Sequence, residues 1–198
     1  AQGIMAGINA ALYALDREPF ILPRSSSYTG TLVDDLVTKE IGEPYRMMTS
    51  RSEYRLLLRQ DNADMRLTPL GREVGMADDH RWELFVAKQE AIETEKKRVK
   101  SVRIHPNPEW EEALAPYDES MKQSATLEEL LRRPKVPYSI INKLAPASEE
   151  GFAFGLEVET DIKYAGYIER QRLLIAQTEK LDGFKLPVDF NYLASDHL

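Results

Sequence analysis

The run EPYRMMTSRSEYRLLLRQDNADMRL, from Glu43 to Leu67, sets the reading of this chain. Between Pro44 and Arg72 the sequence carries six arginines (Arg46, Arg51, Arg55, Arg59, Arg66 and Arg72), three acids (Glu53, Asp61 and Asp64) and no lysine. That is a local charge of +3 inside a 198-residue protein whose net charge is −7. A guanidinium is a planar fork that grips phosphate or carboxylate bidentately and stacks on bases, whereas a lysine ammonium is a point charge. Arginines without lysines therefore predict shaped recognition of an anion. The competing reading is an internal ion-pair network with the neighbouring acids, which fixes a loop and needs no ligand.

Two local structures compete for Tyr45 to Arg59. Alternation puts Tyr54, Leu56 and Leu58 on one face of a strand and Arg55, Leu57 and Arg59 on the other, with Pro44 to Met48 as partner strand and Thr49 to Ser52 as turn. Against this hairpin, Ser50 and Glu53 have capping-box spacing, and a helix would align Arg51, Arg55 and Arg59 on one face. The hairpin is the preferred reading. Further on, Asp61 to Asp64 reads as a turn, Thr68 before Pro69 as a helix start and Gly75 as its stop.

Upstream, Ile4, Met5, Ile8, Leu12 and Leu15 recur at helical spacing with Gly3, Ala6, Gly7, Ala10, Ala11 and Ala14 between them, which predicts a closely packed helix. It is either a helix separated from its sheet or one packed on other helices. Pro19 to Pro23 reads as extended chain. Arg24 to Tyr28 forms a loop before a helical pattern in Leu32, Val33, Leu36 and Val37. Asp34 and Asp35 interrupt that pattern, either as a solvated face or as partners for the arginines.

Downstream, Asp78 or Asp79 caps a long amphipathic helix to about Lys100 with Trp82, Phe85, Val86, Gln89, Ile92 and Val99 near one face. A short helix surrounds Trp110, Thr126 and Glu129 make a capping box, Pro134 stops that helix and Pro137 opens another through Leu144. A longer helix is predicted from about Phe152 to Lys180, with Gly166 at a close crossing and Gly183 as its end, followed by extended chain from Lys185 to Leu193 with Phe190 and Tyr192 on one side.

Composition bounds the function. A pI near 5.2 excludes a generic nucleic-acid coat, so an anionic partner must be met by a local patch. The absence of cysteine excludes disulfides, thiolate metal sites and a cysteine nucleophile within the chain, and fits a reducing cytoplasm. The three histidines, His80, His105 and His197, are far apart, and no metal site is expected. No apolar run approaches the ~20 residues that span a bilayer, and the start lacks a signal-peptide pattern, so the chain reads as soluble and cytoplasmic.

Several segments together resemble one family over nearly the whole chain. They are AQGIMAGINAA at the start, Arg24-Ser25-Ser26-Ser27-Tyr28-Thr29-Gly30 leading into Leu32-Val33-Asp34-Asp35-Leu36, EPYRMMTSRSEYRLLLRQDNADMRLT, Leu130-Leu131-Arg132-Arg133-Pro134, and Lys163-Tyr164-Ala165-Gly166-Tyr167-Ile168. The chain is similar to the C-terminal part of the glucose-inhibited division protein A (MnmG) family, FAD-dependent enzymes of tRNA uridine 5-carboxymethylaminomethyl modification. The resemblance implies a mainly α fold: a helical domain with a short β-hairpin and a leftover helix of a Rossmann-type FAD-binding domain. The divisions would be residues 1–15, the end of that flavin domain; 16–76, a connecting arginine-rich segment; and 77–198, a helical C-terminal domain incomplete at its end.

The implied chemistry adds an aminomethyl or carboxymethylaminomethyl group to C5 of the wobble uridine of tRNA, with FAD as redox carrier, NADH as reductant and methylene-tetrahydrofolate as one-carbon donor. On this resemblance the catalytic and flavin-binding residues lie upstream, and this portion alone holds no FAD and is inactive. Its role would be to position tRNA through Arg24, Tyr28, Arg46, Arg51, Arg55, Arg59 and Arg66, as tRNA-binding or active-site-rim residues, with Tyr45 and Tyr54 packing or stacking beside the base. The implied partners are tRNA, the GTPase MnmE and a second copy in a homodimer. The alternative is a helical protein-interaction module without a tRNA role.

Overall fold

Helix-start and helix-stop signals are dense in this sequence, and the computed structural model, which describes residues 1–182 and 185, is mainly helical as expected. In chain order the helices are α1 (Gln2–Ala14), α2 (Tyr28–Thr38), α3 (Ala63–Glu73), α4 (Asp79–Ser101), α5 (Pro108–Leu114), α6 (Leu127–Leu131), α7 (Tyr138–Leu144), α8 (Glu149–Ala153) and α9 (Gly155–Asp182). Strands β1 (Arg103–Ile104) and β2 (Ala125–Thr126) pair antiparallel, with Arg103 opposite Thr126 and Ile104 opposite Ala125. The helix stop expected at Gly183 and the extended stretch expected through Phe190 and Tyr192 lie outside the described residues.

The core is built where the capping signals are strongest. Thr126 Oγ1 accepts from the Glu129 amide at 3.1 Å while the Glu129 carboxylate accepts from the Thr126 amide at 2.7 Å, which starts α6 directly after β2. Leu127, Leu130 and Leu131 are thereby fully buried, against Ile92 and Val99 of α4, Trp110 and Leu114 of α5, Ile141 of α7 and Val158 of α9. The predicted cap at Asp78 is present, its Oδ1 accepting from the Arg81 amide at 2.8 Å.

One polar knot crosses this core. Glu95, on the buried face of α4, takes two hydrogen bonds from Arg98, each 2.7 Å, and one from the Tyr138 hydroxyl at 2.8 Å. Burial and the adjacent carboxylate raise the Tyr138 pKa above its ordinary value. Two glycines make room for the knot: a Cβ on Gly155 would lie 2.1 Å from the Tyr138 ring, and one on Gly151 would lie 3.0 Å from Glu95 Oε2. The single helix expected from Phe152 is accordingly broken at Phe154 into α8 and α9. Gly166 was expected at a helix crossing, but it is exposed and, beyond its chain neighbours and its own helix backbone, no atom comes within 4 Å of where its Cβ would lie.

The hairpin expected at Tyr45 to Arg59 is not formed, and the β pairing is β1 with β2 instead. Ser52, Tyr54 and Leu58 are the buried residues of this stretch, and the Leu58 amide donates to the Tyr54 carbonyl at 3.0 Å, a single helical turn. The capping-box helix is absent too, because the Glu53 carboxylate accepts from Arg24 instead of the Ser50 backbone. What forms is a 3-10 turn at Thr49–Arg51 within irregular chain. The next helix starts before the expected Thr68: α3 begins at Ala63 and contains Pro69. Asn62 bridges its entrance, donating to the Leu57 carbonyl at 3.0 Å and accepting from Arg66 Nε at 2.9 Å. Gly75 closes α3 with φ 81°, as expected.

Substitutions at the glycines of α9 separate these roles. Gly155→Ala drives a methyl into the Tyr138 ring and is expected to destabilise the protein by about 1–3 kcal/mol. Gly166→Ala meets no neighbour and is expected to be neutral or stabilising by up to about 1 kcal/mol. Tyr138→Phe leaves Glu95 short of a donor and is expected to cost about 1–3 kcal/mol. Urea unfolding monitored by circular dichroism measures all three.

Candidate nucleic-acid interface

The residues between α2 and α3 have no ladder to fix them, so their backbone groups are held by side chains. Asp35 is the centre of that arrangement. It lies on the inward face of α2 with its side chain fully buried. Its Oδ1 pairs with Arg24 at 2.5 Å and with Lys39 at 2.7 Å, and its Oδ2 accepts from the Tyr45 hydroxyl at 2.8 Å with Arg51 at 4.0 Å. Burial alone would raise the Asp35 pKa, but the hydrogen bonds from Lys39, Arg24 and Tyr45 outweigh it and hold the carboxyl well below the usual range. Burial and this carboxylate together push the Tyr45 hydroxyl up.

The local sequence explains the placement of α2. The Ser27 hydroxyl caps it by accepting from the Gly30 amide at 2.9 Å. Gly30 is required there, because a Cβ would sit 2.2 Å from the Pro23 carbonyl oxygen. The preceding extended segment is clipped to α1 by Asn9, which accepts from the Phe20 amide at 2.7 Å and donates to the Phe20 carbonyl at 3.0 Å.

The arginines divide into three groups. Arg24 is used internally: besides Asp35 it reaches Asp34 at 2.8 Å, the Arg51 carbonyl at 3.1 Å and both oxygens of Glu53 at 2.9 and 3.1 Å. Burial opposes its charge, but these acceptors raise its pKa. Arg59 is also internal, bound to Asp61 at 3.1 Å and to Asp161 of α9 at 2.9 Å, and it has a raised pKa despite burial for the same reason. Arg66 is half-buried with neutral partners, the Asn62 side chain, the Ser26 carbonyl and the Arg59 carbonyl. Burial first and the Arg59 charge second lower its pKa.

Arg51 is intermediate. Its Nε donates to the Arg46 carbonyl at 2.9 Å, its guanidinium lies over the Tyr45 ring with Cζ 4.5 Å from the centroid, and its side chain stays 28% exposed. Arg46 and Arg55 are exposed, and neither side chain makes a hydrogen bond or ion pair among the described residues. Tyr28, half-buried, lines a hollow of about 240 Å³ with Thr29, Leu58 and Arg66. Tyr54 is buried, and Tyr45 is engaged through its hydroxyl and its ring. The sequence reading thus grouped residues that the structure separates: Arg46 and Arg55 face solvent, Arg51 is partly exposed, and Arg24 and Arg59 are held by acids.

A cleft of about 470 Å³ lies beside this segment, between α4 and α9. Arg59, Arg66, Lys96 and Arg172 line it together with Glu157, Asp161 and Glu169. Lys88 pairs with Asp64 at 3.0 Å and with Glu157 at 3.4 Å, and Lys96 pairs with Asp161 at 3.0 Å. Asp161 and Lys88 carried no signal in the sequence, since their partners are remote along the chain. Asp35 carried one, as an acid inside an apolar helical pattern. Among the described residues no cluster of acids or histidines is placed to hold a metal ion, and no helix is long and apolar enough to cross a membrane.

Comparison with known proteins supplies the family. Residues 79–172 match the family described as tRNA modifying enzyme MnmG/GidA C-terminal helical domain. A protein of Geobacillus thermodenitrificans is 50% identical over 193 residues, 96% of this chain and 31% of its own length. One of Synechocystis is 48% identical over 200 residues, covering 100% of this chain and 32% of its own length. Both are named tRNA uridine 5-carboxymethylaminomethyl modification enzyme MnmG. The solved structure of Aquifex aeolicus GidA in its form II crystal superposes with a TM-score of 0.76 at 37% identity, covering 98% of this chain and 30% of that one. The chain therefore spans about 31% of the length of the curated relatives it matches. On sequence and on fold together, it belongs to the MnmG/GidA family, of which it is a C-terminal portion.

Proposed function

We propose that this chain is the tRNA-positioning part of an enzyme that installs a carboxymethylaminomethyl or aminomethyl group at C5 of the wobble uridine. The observation that carries the reading is the division among the arginines: Arg46 and Arg55 stand exposed and unpaired among the described residues, and Arg51 stays partly exposed, in a protein of net charge −7. An acidic protein that leaves guanidiniums unpaired beside acids it uses to hold others presents an electropositive patch suited to phosphate. Arg24, Arg59 and Arg66 belong to the same proposal as rim residues, and Tyr28 lines the hollow beside Arg66.

In this reading the FAD, NADH and methylene-tetrahydrofolate of the reaction are handled by the rest of the enzyme. A dinucleotide site needs a strand, a glycine-rich turn and a helix whose amides face the pyrophosphate. Among the described residues, β1 and β2 each lead on without such a turn, and β2 runs straight into α6. Helix α1 offers a docking face instead: beyond the helix's own backbone and chain neighbours, no atom lies within 4 Å of a Cβ at Gly3 or Gly7, and Ile4 and Leu15 are exposed. That supports residues 1–15 as the last helix of a flavin-binding domain, residues 16–76 as the connecting segment and residues 77–198 as the helical domain.

The protein partners of the whole enzyme, the GTPase MnmE and a second copy of the chain, belong to the same proposal. The surface that this chain offers to protein is the outer side of α9, where Tyr167, Leu173 and Leu174 are exposed. The same residues favour the second reading, a helical interaction module that binds protein alone.

Nucleic-acid binding separates the two. Arg46→Ala and Arg55→Ala are each expected to weaken binding of a tRNA transcript and to lower the slope of log affinity against log salt by about one. Arg59→Ala is expected chiefly to lower the thermal midpoint, because it leaves Asp161 short of a partner. Affinity and salt slope unchanged in the Arg46→Ala/Arg55→Ala double variant would remove the tRNA role.

A further inference from the structure

Arg51 sits in irregular chain, yet it is held at every end. Its carbonyl oxygen accepts from Arg24 Nη2 at 3.1 Å. Its Nε donates to the Arg46 carbonyl at 2.9 Å, and its guanidinium plane lies 4.5 Å from the centre of the Tyr45 ring. Two of these holds lead to one carboxylate, Asp35, whose Oδ2 also lies 4.0 Å from Arg51 Nη1. Arg24 donates to Asp35 Oδ1 at 2.5 Å, and the Tyr45 hydroxyl donates to Asp35 Oδ2 at 2.8 Å, so the two oxygens of one buried carboxylate fix the backbone and the side chain of Arg51 separately.

We propose that Asp35 is a positioning residue for nucleic-acid binding, which sets Arg51 through Arg24 on one side and through Tyr45 on the other. The proposal rests on the tRNA-positioning role argued above. It also assigns Tyr45 a different part from stacking on a base. With its hydroxyl on Asp35 and a guanidinium over its ring, Tyr45 is the platform that holds the partly exposed side chain of Arg51. An arginine presented in this way has its rotamer fixed before the phosphate arrives, which removes an ordering cost from binding. Asp35, wholly buried, makes no contact with the RNA.

A double-mutant cycle on the intact protein tests this, with a tRNA transcript as probe. Arg51→Ala is expected to weaken binding roughly tenfold, the scale of one charge-assisted contact, and to lower the salt slope by about one. Asp35→Asn keeps the shape of the side chain and is expected to give the same loss. The Asp35→Asn/Arg51→Ala double variant should bind no more weakly than Arg51→Ala alone, because both changes remove one contact. Lys39→Met, which strips another partner from the same carboxylate without touching Arg51, is expected to stay within about twofold of the parent.

Should Asp35→Asn fail to fold, the Tyr45 variants carry the test. Tyr45→Phe keeps the ring beneath Arg51 but cuts its link to Asp35 and is expected to lose several-fold in affinity, whereas Tyr45→Leu removes the platform as well and should match Arg51→Ala. Additive losses in the cycle, parent-like binding by folded Asp35→Asn, or parent-like binding by Tyr45→Phe would each overturn the positioning role. If Arg46→Ala and Arg55→Ala weaken binding but Arg51→Ala does not, the positioning role falls and the tRNA reading stands. If none of the three weakens it, the tRNA reading falls as well.

Discussion

A carboxylate taken wholly out of water costs several kcal/mol unless charged and hydrogen-bonded partners replace the solvent. Asp35 has them: Arg24, Lys39 and Tyr45 within 2.8 Å and Arg51 at 4.0 Å. The burial is not an accident of packing, because the position of α2 is imposed by Gly30 against the Pro23 carbonyl and by the Ser27 cap. Once α2 is so placed, its inward acid must recruit cations, and the cations within reach come from the loop before it and from the irregular stretch after it. The path of residues 45–53 therefore depends on one ionised group. Arg24 connects that group onward to the Arg51 carbonyl and the Glu53 carboxylate.

The second half of the arginine segment is fixed from the other direction. Arg59 reaches Asp161 and Lys88 reaches Asp64, so α4 and α9 of the helical core hold the chain between Leu56 and α3. Gln171 extends the same contact, donating to the Glu53 carbonyl at 3.3 Å. These pairs are partly exposed, and each alone contributes little to stability. Their effect lies in register. The core of α4 to α9 is built from leucines and aromatics that specify a rigid frame, and the ion pairs transfer that frame to a segment with hardly any apolar burial beyond Tyr54 and Leu58.

The helical core was legible because its signals are local. A capping box at Thr126 and Glu129, an aspartate before α4 and a glycine after α3 each act within a few residues, and each is found where it was read. The hairpin failed for the opposite reason. The alternation of Tyr54, Leu56 and Leu58 looked like a strand, but the Arg51 carbonyl and the Glu53 side chain were taken by Arg24, and Asp161, a remote residue, took Arg59. Pro69 misled similarly: its fixed φ suits a first turn, yet α3 begins earlier because Asn62 and Arg66 brace its entrance. The arginine excess itself was visible. Which arginines were free was not, since that depends on acids folded in from α2 and α9.

This division bears on why the segment uses arginine and no lysine. A lysine makes one compact contact and swings on a flexible stem, whereas a guanidinium can satisfy several acceptors in one plane. Arg24 does so with Asp34, Asp35, Glu53 and a backbone carbonyl, and Arg66 with a side-chain amide and backbone carbonyls. An irregular backbone needs such multi-dentate braces, because each unladdered carbonyl must find a donor. A guanidinium can also sit over an aromatic ring, as Arg51 does over Tyr45, and stay partly exposed. The residue type that holds the loop is thus also the one that can present it to phosphate, so composition alone could not tell scaffold from contact. The distinction is made by the acids, and above all by Asp35 inside α2.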